Sequence, residues 1–155
     1  MYGSTCTRSL ACLLAGLASA ACAAQERANF FDDPFVQATH GIAACPVPDG
    51  PLITRQEMLE QSHGRAERGT SCYQAGKCRL PNAYMYDADI VARARKAVRA
   101  APEFADSSVW IEGRRRWVWL KGCVRSQAQA DALVHLVGEI DDVQRVFGEL
   151  TVLAH

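Results

Sequence analysis

From Asp87 onward the apolar positions carry a clear periodicity. Ile90, Val91, Ala94, Ala97, Val98 and Ala101 recur at helical spacing, with Arg93, Arg95, Lys96 and Arg99 on the opposite side, so a helix is predicted that ends at Pro102. Ser108 to Glu112 then alternates as a strand, Gly113-Arg114-Arg115-Arg116 turns, and Trp117 to Val124 alternates again, which reads as an antiparallel hairpin. Ser126 with Gln129 has the spacing of a capping box and opens a helix whose Ala130, Leu133, Val134, Val137 and Ile140 form one stripe. A last strand is expected from about Val143 to Leu153, giving the order α-β-β-α-β.

Upstream, from Gln25 to about Tyr86, turn formers dominate: Asp33-Pro34, the run Cys45-Pro46-Val47-Pro48-Asp49-Gly50-Pro51, and Gly69-Thr70-Ser71. One helix is predicted there, opened by a capping box of Thr54 and Glu57 and ending at Gly64 or Gly69. Too few apolar residues recur for a separate core, so this region either stays loose or lies against the domain that follows. No internal repeat is visible.

The start of the chain has the layout of a secretory signal peptide: Arg8, an apolar stretch from Leu10 to Ala18, then the small residues Ser19-Ala20-Ala21-Cys22-Ala23-Ala24. The stretch is shorter than the roughly 20 residues that span a bilayer, and no later segment reaches that length, so no transmembrane helix is expected in the mature chain. Ala21-Cys22-Ala23 fits ordinary cleavage. Ser19-Ala20-Ala21-Cys22 offers the alternative of a lipobox with Cys22 acylated and the protein anchored at the outer membrane; the poor fit of Ser19 favours plain export to the periplasm. The organisation expected is therefore a signal peptide over 1–23, a cysteine-containing extension over 24–86 and one α+β domain over 87–155.

Either cleavage leaves Cys45, Cys72, Cys78 and Cys123, an even number that reads as a disulfide framework in an oxidising compartment. Net charge is zero, which argues against a generally basic nucleic-acid binder and leaves any charged contact to local patches. One such patch is visible, since Asp87 to Arg125 is basic and Ser126 to His155 acidic.

Strand alternation places Val109, Ile111, Val118, Leu120, Val124, Val146, Leu150 and Val152 toward the helices. Trp110, Trp117, Trp119, Cys123, Phe147 and Leu153 fall on the other face. Exposed together they would make a large apolar patch, so a cover or a contact is required. The leading expectation is that the extension folds back over this face, with Cys45 bridged to Cys123 and Cys72 to Cys78; a bridge from Cys72 or Cys78 to Cys123 is the competing arrangement.

Catalytic patterns are missing: the chain has no Gly-x-Ser-x-Gly, phosphate-binding glycine loop, His-Glu-x-x-His or Cys-x-x-Cys, so no enzyme and no cofactor are expected. His63, Cys72 and Cys78 with His40 or Cys45 have irregular spacing for zinc, and exported thiols oxidise more readily, so no metal is expected. His135 reads as a helix residue at the core edge and His155 as a free terminus.

Three stretches carry a resemblance to the BON domain family: the helix around Ile90-Val91, then Val118-x-Leu120-x-Gly122-x-Val124-Arg125-Ser126, then Val143-x-x-Val146-x-x-x-Leu150-x-Val152. The glycine usual before the final strand is replaced by Asp142. The resemblance covers about Asp87 to Leu153. It implies a three-stranded sheet with two helices on one face, and a place among bacterial envelope proteins that bind phospholipid or support envelope integrity. Relatives also bind other partners, so the resemblance alone fixes no ligand.

Two readings of the basic and aromatic residues follow. In one, Arg93, Lys96 and Arg99 of the helix with Arg114, Arg115, Arg116, Trp117 and Trp119 of the hairpin meet anionic phospholipid, because aromatic rings beside cations suit a membrane interface. In the other, the arginines are a solvated tip and the tryptophans are core beneath the extension. The alternative function is a structural or protein-interaction module of an envelope assembly, using the Trp-rich face or the disulfide-bearing extension.

Overall fold

The computed structural model describes residues 25–153, so the expected signal peptide, Cys22 and His155 lie outside the described residues. Two short strands, β1 (Arg27–Ala28) and β3 (Ile53–Thr54), pair with each other, while β2 (Phe35–Gln37) joins the main sheet. Helix α1 (Arg55–Gln74) opens at Thr54, and both halves of its capping box with Glu57 are formed. Helix α2 (Asp87–Ala100), strands β4 (Ser108–Arg114) and β5 (Trp117–Val124), helix α3 (Gln127–Gly138) and strand β6 (Arg145–Val152) complete the chain.

The α+β class and the α-β-β-α-β order stand, but the sheet has four strands in the order β2-β4-β5-β6 rather than three. The fourth comes from the extension: Phe35, Val36 and Gln37 lie antiparallel to Glu112, Ile111 and Trp110. That pairing satisfies the backbone of what would otherwise be a naked edge of β4. β6 runs parallel to β5, and α3 makes the crossover between them.

Helix α1 also continues past both expected ends. At Gly69 a Cβ would sit 2.6 Å from the Asn82 side chain, so the glycine serves close approach of the following segment instead of terminating the helix. Gly122, the glycine of the middle family-like motif, has φ +122°, and a Cβ there would collide with the Ser108 carbonyl oxygen across the hairpin.

The sheet carries a core on each face. Against the helices, Ile90, Val91, Ala94 and Val98 of α2 and Ala130, Leu133 and Val137 of α3 pack on Val109, Ile111, Val118, Leu120 and Val124. Val146 and Leu150 join at the margin, whereas Val152, on the same face by register, stays outside this core and is 43% exposed. On the other face Trp110 and Cys123 pack with Ile42 and Cys45 of the extension. Cys45 is bonded to Cys123 across 78 residues and Cys72 to Cys78 across 6. In the chain-entropy view the long bridge contributes about 4 to 5 kcal/mol and the short one about 2.

Polar contacts fasten the same cover. The Ser108 hydroxyl bonds both the N–H (2.9 Å) and the carbonyl (3.0 Å) of Ile42, and the Lys121 ammonium bridges Glu112 (2.7 Å) and the Asp49 carbonyl (3.2 Å).

Candidate functional site

The extension covers only the half of the sheet that holds Trp110 and Cys123. Toward the hairpin tip Trp117, Trp119 and Phe147 remain partly exposed and form a cluster of their own. Trp119 stacks on Phe147 with ring centres 4.9 Å apart and planes 16° from parallel, and Trp117 lies 6.2 Å from Trp119 and 5.6 Å from Phe147. Each ring carries a guanidinium: Arg114 over Trp119 at 4.5 Å, Arg115 over Trp117 at 4.3 Å, and Arg145 over Phe147 at 4.9 Å. Such contacts favour the cation while leaving its N–H groups able to donate elsewhere.

Helix α1 turns this surface into a cleft of about 240 Å³, lined by Gln61, Arg65, Arg68, Tyr84, Arg114, Arg115, Trp117 and Trp119. Arg65 is structural there. It donates to both oxygens of Asp33, at 2.9 and 2.5 Å, and its guanidinium lies 4.0 Å from the rings of both Phe31 and Tyr84. Among the described residues, Arg68, Arg114 and Arg115 enter no salt bridge. Three charges with no counter-charge thus face one opening, beside aromatic walls.

The tip that presents them is rigidly held. Arg115 (φ +58°) and Arg116 (φ +66°) form the two-residue turn, a conformation usually left to Asn and Gly. The buried carboxylate of Asp87, at the first position of α2, accepts the N–H of Arg115 and that of Arg116, each at 2.6 Å. Burial pushes that carboxyl up to about 6, against the pull of the two amides. The Arg116 side chain points away from the cleft, to the Asp142 carbonyl (2.7 Å), Cys78 Sγ (3.0 Å) and the ring of Tyr86.

Asp142 takes the glycine-like conformation itself, with φ +70°. Its carboxylate accepts bonds from Arg79 (2.8 Å) and Arg93 (3.3 Å). Burial raises its carboxyl, yet Arg79, Arg93 and Arg116 together hold it below the ordinary value.

The residues singled out in the sequence therefore do not form one site: Arg116 turns to Asp142, and the others fall in two places. Arg114, Arg115, Trp117 and Trp119 come together on the face away from the helices, whereas Arg93, Lys96 and Arg99 lie on α2, across the sheet. Arg93 is engaged by Asp89 and Asp142, and Arg99 donates to the Ala38 carbonyl at 3.1 Å. Lys96 is exposed beside Arg95 and Arg99.

Arg68, Tyr84, Arg145 and Asp87 were not foreseen at the site. Gln61, Arg65 and Arg68 are spaced 4 and 3 apart, which marks one helix face once α1 is carried through Gly64. Cys45, Cys72 and Cys78, three of the residues weighed for zinc, are taken up in bridges. Among the described residues no group of three or more His, Cys, Asp or Glu side chains has the arrangement of a metal site.

The architecture defines a small α+β module that presents a cationic, aromatic cleft from a braced hairpin. Residues 86–154, the C-terminal part of the chain, match the family model of the BON domain. BON domains are associated with periplasmic and envelope proteins. No curated protein matches the chain. No described helix is long and apolar enough to cross a membrane.

Proposed function

We propose that the protein is a non-enzymatic module of the bacterial envelope that docks on anionic phospholipid through the cleft between α1 and the hairpin. The observation that carries this reading is the trio Arg68, Arg114 and Arg115, none in an ion pair among the described residues, set around Trp117 and Trp119. A phosphodiester headgroup offers the acceptor oxygens that guanidinium groups match, and the rings suit the adjoining interfacial layer. Exported, the protein would meet such headgroups in the periplasm, with or without acylation at Cys22. The α2 cations serve as a secondary, weaker surface.

Flotation with phosphatidylcholine vesicles, with and without phosphatidylglycerol, tests the proposal. Retention only on the anionic vesicles, falling as salt rises, is expected. No retention on either, together with a stable protein partner on purification from the envelope, would instead support an interaction module of an envelope assembly.

A further inference from the structure

The sheet order β2-β4-β5-β6 makes β6 an outer strand, and no described residue pairs with its free side. Outer strands of monomers are blunted by shortness, charged side chains, proline or a bulge, because their open N–H and C=O groups otherwise template another strand; the two charges of β6, Arg145 and Glu149, are opposite in sign and so admit a complementary strand. β6 runs for 8 residues, Arg-Val-Phe-Gly-Glu-Leu-Thr-Val, with no lysine and no proline. Arg145, Gly148, Glu149, Thr151 and Val152 along it are exposed.

Register with β5 places Arg145, Phe147 and Glu149 on the side of Trp117 and Trp119. Arg145 and Glu149 are exposed and enter no salt bridge among the described residues.

We infer that β6 pairs antiparallel with β6 of a second copy of this chain, about a two-fold axis through Phe147. In such an isologous pair the axis stands on a residue, and positions equally far from it on the two strands lie opposite each other. Centred on Phe147, Arg145 faces Glu149 of the second copy, Glu149 faces Arg145 of the second copy, and the two Phe147 rings meet. Centring on Arg145 or on Glu149 sets like charges face to face, and centring on any other residue of β6 leaves Arg145 and Glu149 without each other. Opposite-charge and aromatic cross-strand pairs stabilise a sheet and like charges destabilise it, and of the registers centred on a residue of β6 only the one on Phe147 sets opposite charges face to face. The two aromatic clusters then adjoin along one continuous sheet, with the Arg114 and Arg115 clefts on the same side of the pair.

Sedimentation equilibrium of the disulfide-bonded chain, with Arg145→Glu, Glu149→Arg and the double exchange, tests the inference. Both side chains are exposed, and circular dichroism verifies that each variant is folded. The wild type is expected to dimerise, each single reversal to weaken the pair by about tenfold or more through two like-charge contacts, and the double exchange to restore it. A wild type that stays monomeric at every concentration overturns the inference. So does a dimer indifferent to the single reversals, or one that the double exchange fails to rescue.

Discussion

The carboxylate of Asp87 accepts the backbone N–H of Arg115 at 2.6 Å, tying the first turn of α2 to the tip of a hairpin 28 residues away. A second bond, to the N–H of Arg116, leaves each carboxylate oxygen with its own amide. Two arginines can therefore stand in left-handed backbone without glycine, and the positions of Arg114 and Arg115 over the tryptophans are inherited from this anchor.

The anchor has a pH dependence. Burial raises the Asp87 carboxyl from an ordinary 3.8 to about 6, so the folded state binds a proton that the unfolded chain has released. Stability from this group is greatest below about 4, is lost as pH rises through about 6, and is flat above. Urea unfolding of the oxidised protein between pH 4 and pH 8 is expected to show this decline, and Asp87→Asn to flatten it. A wild-type slope of the opposite sign in this window, unchanged in the variant, would assign the dependence to other groups.

Loss of the long bridge should be costlier than loss of the short one. Replacing Cys45 and Cys123 together by serine is expected to lower stability by about 4 to 5 kcal/mol, and replacing Cys72 and Cys78 by about 2, on the chain-entropy estimate. Only the first pair should also shift the emission of Trp110, which is 7% exposed under the segment that Cys45 holds down.

Arg65→Ala leaves the Asp33 carboxylate buried without its partner, and a loss of about 3–5 kcal/mol is expected. Asp33→Asn combined with Arg65→Met should cost less than Arg65→Ala alone. Chemical denaturation of the three proteins measures the difference.

On anionic vesicles Arg114→Ala and Arg68→Ala are each expected to weaken binding by about fivefold, about 1 kcal/mol per cation near the surface. Lys96→Ala, across the sheet on α2, should change it much less. Equal losses from the α2 and hairpin variants would overturn the assignment of docking to the cleft.

Much of the fold was legible because its periodicities are local. The hairpin needs only alternation on either side of a turn, and Trp117 to Val124 matches β5 residue for residue. Helix α3 begins at Ser126 as its capping pattern requires, although the Gln129 side chain takes the N–H of Arg125 rather than completing the reciprocal bond. The fourth strand was not legible. Phe35-Val36-Gln37 is too short to display a period, and its pairing is decided by the open edge of β4, far along the chain.

Gly69 reads as a stop signal when only sequence neighbours are considered, whereas in the fold α1 runs on and Asn82 occupies the space that the missing side chain frees. At the site, tryptophan and arginine were visible as types but not as contacts. Arg116 sits beside Arg115 in sequence yet turns to Asp142, and the Arg68 that shares the cleft comes from a helix face hidden by the early stop. The Asp33–Arg65 pair, 32 residues apart, has no local pattern at all.

Strand β2, only three residues long, closes one margin of the sheet with too little backbone to recruit a further strand. Growth by strand addition is thereby confined to the opposite margin, and two copies joined there have no sticky rim left between them. Self-association built this way is finite: it stops at a pair instead of running on into a fibre.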